Sequence, residues 1–379
     1  MFIFSRENTG KLARWWRNVD KPILFSIISL FLLGSFFSFS STSTVIAEKM
    51  NKQTYFFFTK HLIFCFFSLF LLVVISIQDK NKLIKYLPYL FFVSIFFLAL
   101  IPIMGVEIKG SKRWLDLILL PRFQPVELVK PFLIIFVAKI ITLNQKTNIY
   151  SRYFYSFLAL LLIVIFLINQ PDLGQTLLLT LTWVTMIFVS GFNMLILSIL
   201  GILFLTFIAI LIFLFPSKFG YVFLRIKTFL DPKMGDNFQS QKALDAIKQG
   251  GLTGQGMGEG ILKDRVPEAH TDYIIAVISE EFGAIFVFFI IIIFLFIGYK
   301  VLNKVFSERD EFLKLSLIGL ISLLIIQTFI HIGVNIRLIP TTGMTLPFLS
   351  YGGSSLIGSS IIAGVILNFT KTIPKGYEK

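Results

Sequence analysis

The chain is short of the features from which soluble enzymes are usually built. It holds a single cysteine, Cys65, so an intrachain disulfide is impossible and thiol-based metal or redox chemistry lacks ligands. Histidine is scarce, with three residues. No spacing of His, Asp and Glu matches a metal site, and position suggests no Ser, His and Asp set. Charged residues are only 15% of the chain, and acidic ones are the scarcer kind, 21 against 35 Lys and Arg. No polar stretch is long enough for a separate soluble domain, and no internal repeat is evident. No small-residue cleavage site follows the first apolar run, which therefore reads as a retained helix.

Apolar residues fill that space. They make up 56% of 379 residues, with 45 Phe, and runs of about twenty recur, enough to span ~30 Å of hydrocarbon. The expected fold is an all-α polytopic membrane protein, one membrane domain over 1–379. Ten spans are expected near 22–40, 60–77, 84–104, 126–143, 153–169, 173–190, 194–215, 272–299, 312–336 and 353–370. An even number puts both termini on one side. Arg6, Lys11, Arg14, Arg17 and Lys21 precede the first span, and Lys80, Lys82, Lys85, Lys300, Lys304, Arg309, Lys371, Lys375 and Lys379 share its side. Short loops rich in Lys and Arg mark the cytoplasm, so 1–21 and 371–379 read as cytoplasmic tails. Segments 105–125, 216–271 and 337–352 then face outward. The net charge of +14 points to anionic headgroups or an anionic lipid-linked substrate, and the scatter of basic residues argues against nucleic acid.

Three outer segments carry the chemistry-bearing residues. Lys109-Gly110-Ser111-Lys112-Arg113-Trp114 places three cations beside a Trp, suited to diphosphate oxygens and a sugar ring or headgroup layer. The long loop contains Phe229-Leu230-Asp231-Pro232, a short amphipathic helix over 242–248, and Gly254-Gln255-Gly256-Met257-Gly258. No strand precedes these glycines, so they read as a flexible surface loop in preference to a nucleotide fingerprint. The last loop, 335–355, has two prolines and three glycines; non-helical backbone at membrane depth must be buried in protein or line a wet cavity.

Asp272 lies where the long polar loop meets an apolar run. A carboxylate there stays partly hydrated while facing a lipid-borne substrate, and it can equally cap the following helix. Taken as helical, residues 272–283 put Ser279 and Gly283 on the face of Asp272, Glu280 to one side and Glu281 opposite. Glu127 and Lys130, three apart, are expected to pair and fix packing, and Glu281 likewise to pair. Asp172 and Glu280 are further ionisable groups within the apolar part.

Several of these stretches together resemble the SEDS family (shape, elongation, division and sporulation). The resemblance rests on Lys112-Arg113-Trp114, Gln124-Pro125-Val126-Glu127-Leu128-Val129-Lys130, Gln170-Pro171-Asp172-Leu173-Gly174, Pro267-Glu268-Ala269-His270-Thr271-Asp272-Tyr273 and Ser350-Tyr351-Gly352-Gly353-Ser354-Ser355. Ala269 and the stretch Pro340–Pro347 look like the family's division branch. The resemblance implies a ten-helix fold with a large extracytoplasmic loop between helices 7 and 8. It implies glycan-strand polymerisation from lipid II in the cytoplasmic membrane at the septum, with a class B penicillin-binding protein and other division proteins as partners. Asp272 matches the family's essential aspartate. The expected mechanism is inverting transfer with Asp272 as general base and lipid diphosphate as leaving group. Lys112, Arg113, Trp114, Gln124, Asp172, Arg225, Gln241, His270, Thr271, Ser350, Tyr351, Gly352, Gly353 and Ser354 are the expected substrate-binding residues, and Glu127, Lys130, Glu280 and Glu281 a supporting network. The chemistry requires no resident cofactor and leaves room for a divalent cation, Mg or Mn. A lipid II flippase, an elongation polymerase and an inactive division scaffold are the rival readings.

Overall fold

Long runs of Leu, Ile and Phe offer the backbone no side-chain partners, and in apolar surroundings a helix satisfies its N–H and C=O groups within one segment. The computed structural model describes residues 10–41, 55–108, 111–116, 121–143, 148–214, 216–230 and 238–372. A helix stands at each of the ten apolar segments: α2 Lys21–Ser41, α3 Phe56–Ile77, α4 Lys80–Met104, α5 Pro125–Thr142, α6 Ile149–Asn169, α7 Leu173–Val189, α8 Met194–Leu214, α11 Ile274–Ser307, α12 Glu311–Asn335 and α13 Gly353–Phe369. Among the described residues three further helices are α1 Lys11–Asn18, α9 Pro216–Leu230 and α10 Phe238–Gly250. Among the described residues, α2, α3, α4, α6, α11 and α12 are long and apolar enough to cross a membrane; α7, α13 and the first part of α8 are shorter apolar helices. Lys109, 231–237 with Asp231 and Pro232, and the tail residues Arg6, Lys375 and Lys379 lie outside the described residues.

Local chemistry sets several helix starts. Asp79, Asn148, Asp172 and Asp310 accept backbone N–H bonds at the starts of α4, α6, α7 and α12. Pro125 opens α5, where its missing N–H costs nothing. Buried α5, α12 and α13 form the middle of the molecule. Small residues let α13 approach its neighbours: a Cβ on Gly358 would stand 2.7 Å from the Glu127 carbonyl. Outer helices keep large apolar side chains exposed, such as Phe66, Phe67 and Phe70 of α3.

The expectation of an all-helical chain needs one correction. Segment 105–115 is an antiparallel hairpin, β1 Gly105–Ile108 with β2 Ser111–Leu115, extended by a bridge from Leu115 to Phe123. This short pairing satisfies a polar segment that has no apolar stripe to build a helix on.

Polar contacts separate the two ends of the bundle. At one end Lys80 pairs with Glu308 at 3.6 Å, Thr372 donates its N–H to the Asn18 carbonyl, and Asn368 donates to the carbonyls of Ile75, Ser76 and Gln78. The hairpin, the 170–172 turn, the 250–273 loop and the 336–352 loop belong to the other.

Two expectations about the eighth segment are overturned. Its helix is not continuous from residue 272: it begins at Ile274 and is interrupted at Gly283, where φ 79 and ψ 172 suit glycine alone. The glycine-rich loop is also not a free surface loop, because it fills the gap this break leaves. Gln255 and Gly256 donate to the carbonyls of Glu280 and Glu281, while Ala284 and Ile285 donate to the carbonyls of Gly251 and Leu252. Contact is so close that a Cβ on Gly254 would lie 2.3 Å from the Glu281 carbonyl oxygen. Every backbone group freed at the interruption in these four residues finds a partner. The amphipathic helix expected at 242–248 is α10, and it buries Ala243 and Ala246.

Candidate active site

The turn before α11 is wound around one carbonyl. Thr271, Asp272 and Tyr273 all direct their N–H groups at the Glu268 carbonyl, with Glu268 at φ 56, and Thr271 Oγ1 donates to Glu268 Oε2 at 3.1 Å. The N-cap position falls to Tyr273, one residue after Asp272, and the Tyr273 side chain makes no capping hydrogen bond. Because Asp272 is in a turn, the helical-face argument that placed Ser279 and Gly283 beside it does not hold.

The C-terminal part of the chain holds this turn by its outward carbonyls. Tyr351 N–H donates to the His270 carbonyl at 2.9 Å, Ser350 Oγ to that of Thr271 at 2.7 Å, and Asn335 Nδ2 to that of Asp272 at 3.1 Å. Ser350 and Tyr351, expected to bind substrate, thus have backbone-holding roles. Ser350 Oγ also accepts from Leu346 N–H, and the rings of Tyr351, His270 and Phe57 pack together.

The 336–352 loop then presents its backbone to the acid. At φ 72, Gly343 turns so that an added Cβ would sit 3.7 Å from Asp272 Oδ2. Arg225 Nη1 donates to the neighbouring Thr341 carbonyl at 3.2 Å, and Arg337 Nη1 to Gln241 Oε1 at 2.7 Å. Burial pushes the Tyr273 phenol up, Asp272 adds to this, and Arg225 and Arg337 oppose it. Both guanidiniums, like Asp272, therefore act electrostatically on the Tyr273 phenol.

A second group of expected residues surrounds Asp172. Gln124 Nε2 donates to Asp172 Oδ2 at 3.2 Å, and Asp172 Oδ1 accepts from Gln175 N–H. Burial raises the Asp172 carboxyl above the usual carboxylate range, with Arg113 and the Gln175 amide acting the other way. Arg113 donates to the Gln170 and Pro171 carbonyls at 2.9 and 2.5 Å, so the structure gives it a turn-holding role. Lys112 is exposed on β2 opposite Glu107, with half-buried Trp114 opposite Val106. The two groups meet where Gly174 touches the loop: its added Cβ would lie 2.8 Å from Thr342 Cβ. Gly352 precedes α13, Gly353 lies on the Phe64 ring, and Ser354 lines a groove of about 220 Å³ with Phe64, Phe97, Arg122, Phe123 and Leu128.

The buried charges are mutually engaged. Glu127 and Lys130 pair at 2.7 Å; Gln175 donates to Glu127 and Lys130 to Gln327. Glu280 accepts the N–H groups of Leu262 and Lys263, while Glu281 pairs with Lys263 at 2.5 Å and accepts from Ser40 Oγ. Among the described residues no group of three or more His, Cys, Asp or Glu could hold a metal ion.

Sequence reasoning missed Gln327, His331 and Asn335. Four-residue spacing aligns them on one face of α12, where Gln327 donates to the Thr345 carbonyl, His331 Nδ1 contacts the Met344 carbonyl, and Asn335 reaches Asp272. That spacing in an apolar helix was the available signal.

Comparison with known proteins agrees with this architecture. A family model described as "Cell cycle protein", covering FtsW, RodA and SpoVE, matches residues 21–373. A Caulobacter vibrioides protein named "Probable peptidoglycan glycosyltransferase FtsW" is 33% identical over 99% of this chain and 95% of its own. A protein of the same name from Francisella salina is 33% identical over 96% of this chain and 92% of its own. A chain from a solved peptidoglycan synthase complex has a similar fold, with a TM-score of 0.74 at 24% identity, covering 93% of this chain and 97% of that one. The Thermus thermophilus rod shape determining protein RodA gives 0.68 at 23% identity, over 94% and 97%. By its sequence along nearly its whole length, the chain belongs to the FtsW/RodA/SpoVE family of cell cycle proteins.

Proposed function

We propose that this protein is a peptidoglycan glycosyltransferase that polymerises lipid II into glycan strands during septal wall synthesis. The acceptor sugar's 4-hydroxyl attacks the donor's anomeric carbon, inverting it, and Asp272 takes the hydroxyl proton. A positioned general base is worth about 10²–10⁴-fold. The lipid diphosphate leaves with its negative charge, which Arg225, Arg337 and Lys112 neutralise. One critical carboxylate suffices because diphosphate needs charge compensation more than a proton. The observation that carries the reading is the held turn: three successive carbonyls, His270 to Asp272, are each bound from the C-terminal part of the chain, with the Asp272 carboxylate against Gly343.

In this reading all ten apolar helices cross the cytoplasmic membrane and both termini are cytoplasmic. The end joined by the Lys80–Glu308 and Thr372–Asn18 contacts carries the Lys- and Arg-rich short segments that mark the cytoplasm. The segments 105–125, 216–271 and 337–352 face the wall, where a polymerase must work. A class B penicillin-binding protein is the partner; a relative in fold comes from a peptidoglycan synthase complex, and relatives in sequence bear the name of the division enzyme. Engagement of Glu127, Lys130, Glu280 and Glu281 in fixed contacts accounts for the buried charges as packing, without a transport path.

The test is purified protein, with and without the penicillin-binding partner, given fluorescent lipid II in vesicles. A ladder of polymer is expected. Scrambling across the bilayer without polymer supports a flippase, and neither outcome supports a scaffold.

A further inference from the structure

The helix that follows Asp272 begins at a tyrosine whose side chain makes no capping hydrogen bond. The first N–H groups of a helix have no partner within it, and Tyr273 at the N-cap position offers no side-chain acceptor. The acceptor comes from another helix. Asn335 Oδ1, at the end of α12, receives the Ala276 N–H at 3.2 Å, a donor shared with the Tyr273 carbonyl. The same amide turns its nitrogen to the Asp272 carbonyl at 3.1 Å and to the His331 carbonyl at 2.8 Å. Asn335 is 0% exposed, so water does not compete for these bonds.

We infer that Asn335 is a positioning residue for Asp272, fixing the acid by capping its helix in trans and holding its own carbonyl. The inference rests on the reading of Asp272 as general base. An amide is the group this place requires, because one side chain must accept from Ala276 and donate to Asp272. Aspartate at 335 would lose both N–H donors, and leucine would withdraw the side-chain donor from the Asp272 carbonyl and leave the Ala276 N–H with the Tyr273 carbonyl alone. The neighbouring carbonyls of His270 and Thr271 are held independently by Tyr351 and Ser350. Loss of Asn335 therefore loosens the turn at the acid without releasing it wholesale. Small displacements at a reacting group are costly to the chemical step and not to substrate binding.

The experiment measures kcat and KM for lipid II polymerisation by the full-length protein with its penicillin-binding partner. Asn335→Ala is expected to lower kcat by on the order of tenfold to a hundredfold, with KM within about twofold of the wild type. Asn335→Gln keeps the amide but sets it one methylene out of register, and its kcat should fall between the two. Combined with Asp272→Glu, which already displaces the carboxylate, Asn335→Ala should cost much less than it does alone. An unchanged kcat for Asn335→Ala overturns the inference, as does a loss confined to KM or full additivity with Asp272→Glu. If Asn335→Ala does not fold, full kcat in Asn335→Gln marks a purely structural role and overturns it equally. Asp272→Asn in the same assay keeps the two ideas apart. Activity there removes the general-base reading itself; inactivity there beside a fully active Asn335→Ala removes only the role of Asn335.

Discussion

Arg113 Nη1 stands 3.7 Å from Asp172 Oδ2, while the other two nitrogens of the same guanidinium hold the carbonyls of the two residues just before that aspartate. One side chain on β2 thus fixes a whole turn and balances a buried carboxylate. Removing it leaves two carbonyls and a charge without their donor, whereas a lysine cannot reproduce the fork.

Arg122 offers the contrast. It pairs with Asp116 at 2.6 Å, but the two side chains are 58% and 39% exposed, and such surface pairs contribute about 0–1 kcal/mol. Arg113→Ala should therefore reduce polymerisation by about tenfold or more, Arg113→Lys should recover little, and Arg122→Ala should stay within roughly twofold. Initial rates on lipid II decide this. Equal rates for the two alanine variants contradict the role given to Arg113.

The Lys263–Glu281 pair under the glycine-rich loop makes a second prediction. Both side chains are buried, at 8% and 0% exposure, and Ser40 from α2 shares the carboxylate. Breaking a buried pair from one side strands a charge at a cost on the order of 3–5 kcal/mol, while replacing both partners with apolar groups is often neutral. Lys263→Met should lower the thermal unfolding temperature clearly. The double variant Lys263→Met, Glu281→Leu should recover a good part of the loss. A single variant as stable as the wild type would show the pair to be incidental.

Sidedness can be read by thiol labelling in a Cys65→Ala background. Cys65 itself is buried. Cysteines at Ser111, Thr253 and Thr341 should react with a membrane-impermeant reagent on intact spheroplasts, and one at Ser307 only after permeabilisation. Thr341 is chosen because it is exposed, whereas its neighbour Thr342 is 8% exposed. Labelling at Ser307 alone in intact cells inverts the topology and leaves Asp272 on the wrong face for wall synthesis.

The helices were legible because a run of about twenty apolar residues has few alternatives, and the helix start just after Asp272 was legible because polarity changes abruptly there. The break at Gly283 was not. A glycine in an apolar run costs a helix only about 1 kcal/mol, and what turns it into an interruption is a loop some thirty residues earlier that supplies the missing partners. The loop glycines misled for the same reason: they are needed for close contact with α11, not for mobility. Pairing of His270 with Tyr351, or of Asp272 with Asn335, joins residues far apart in the chain, and composition carries no trace of such contacts. Only the unread spacing of Gln327, His331 and Asn335 could have signalled that α12 had something polar to hold.

In the proposed mechanism Asp272 removes the proton of the attacking hydroxyl. Asparagine keeps the size and the backbone bonds of the turn but cannot accept that proton. Polymerisation of lipid II by purified Asp272→Asn, with the penicillin-binding partner present and partner binding verified, is therefore the most direct measurement. The rate is expected to fall about 10²–10⁴-fold from that of the wild type, in a protein that still folds and still binds its partner. A rate near that of the wild type would contradict it.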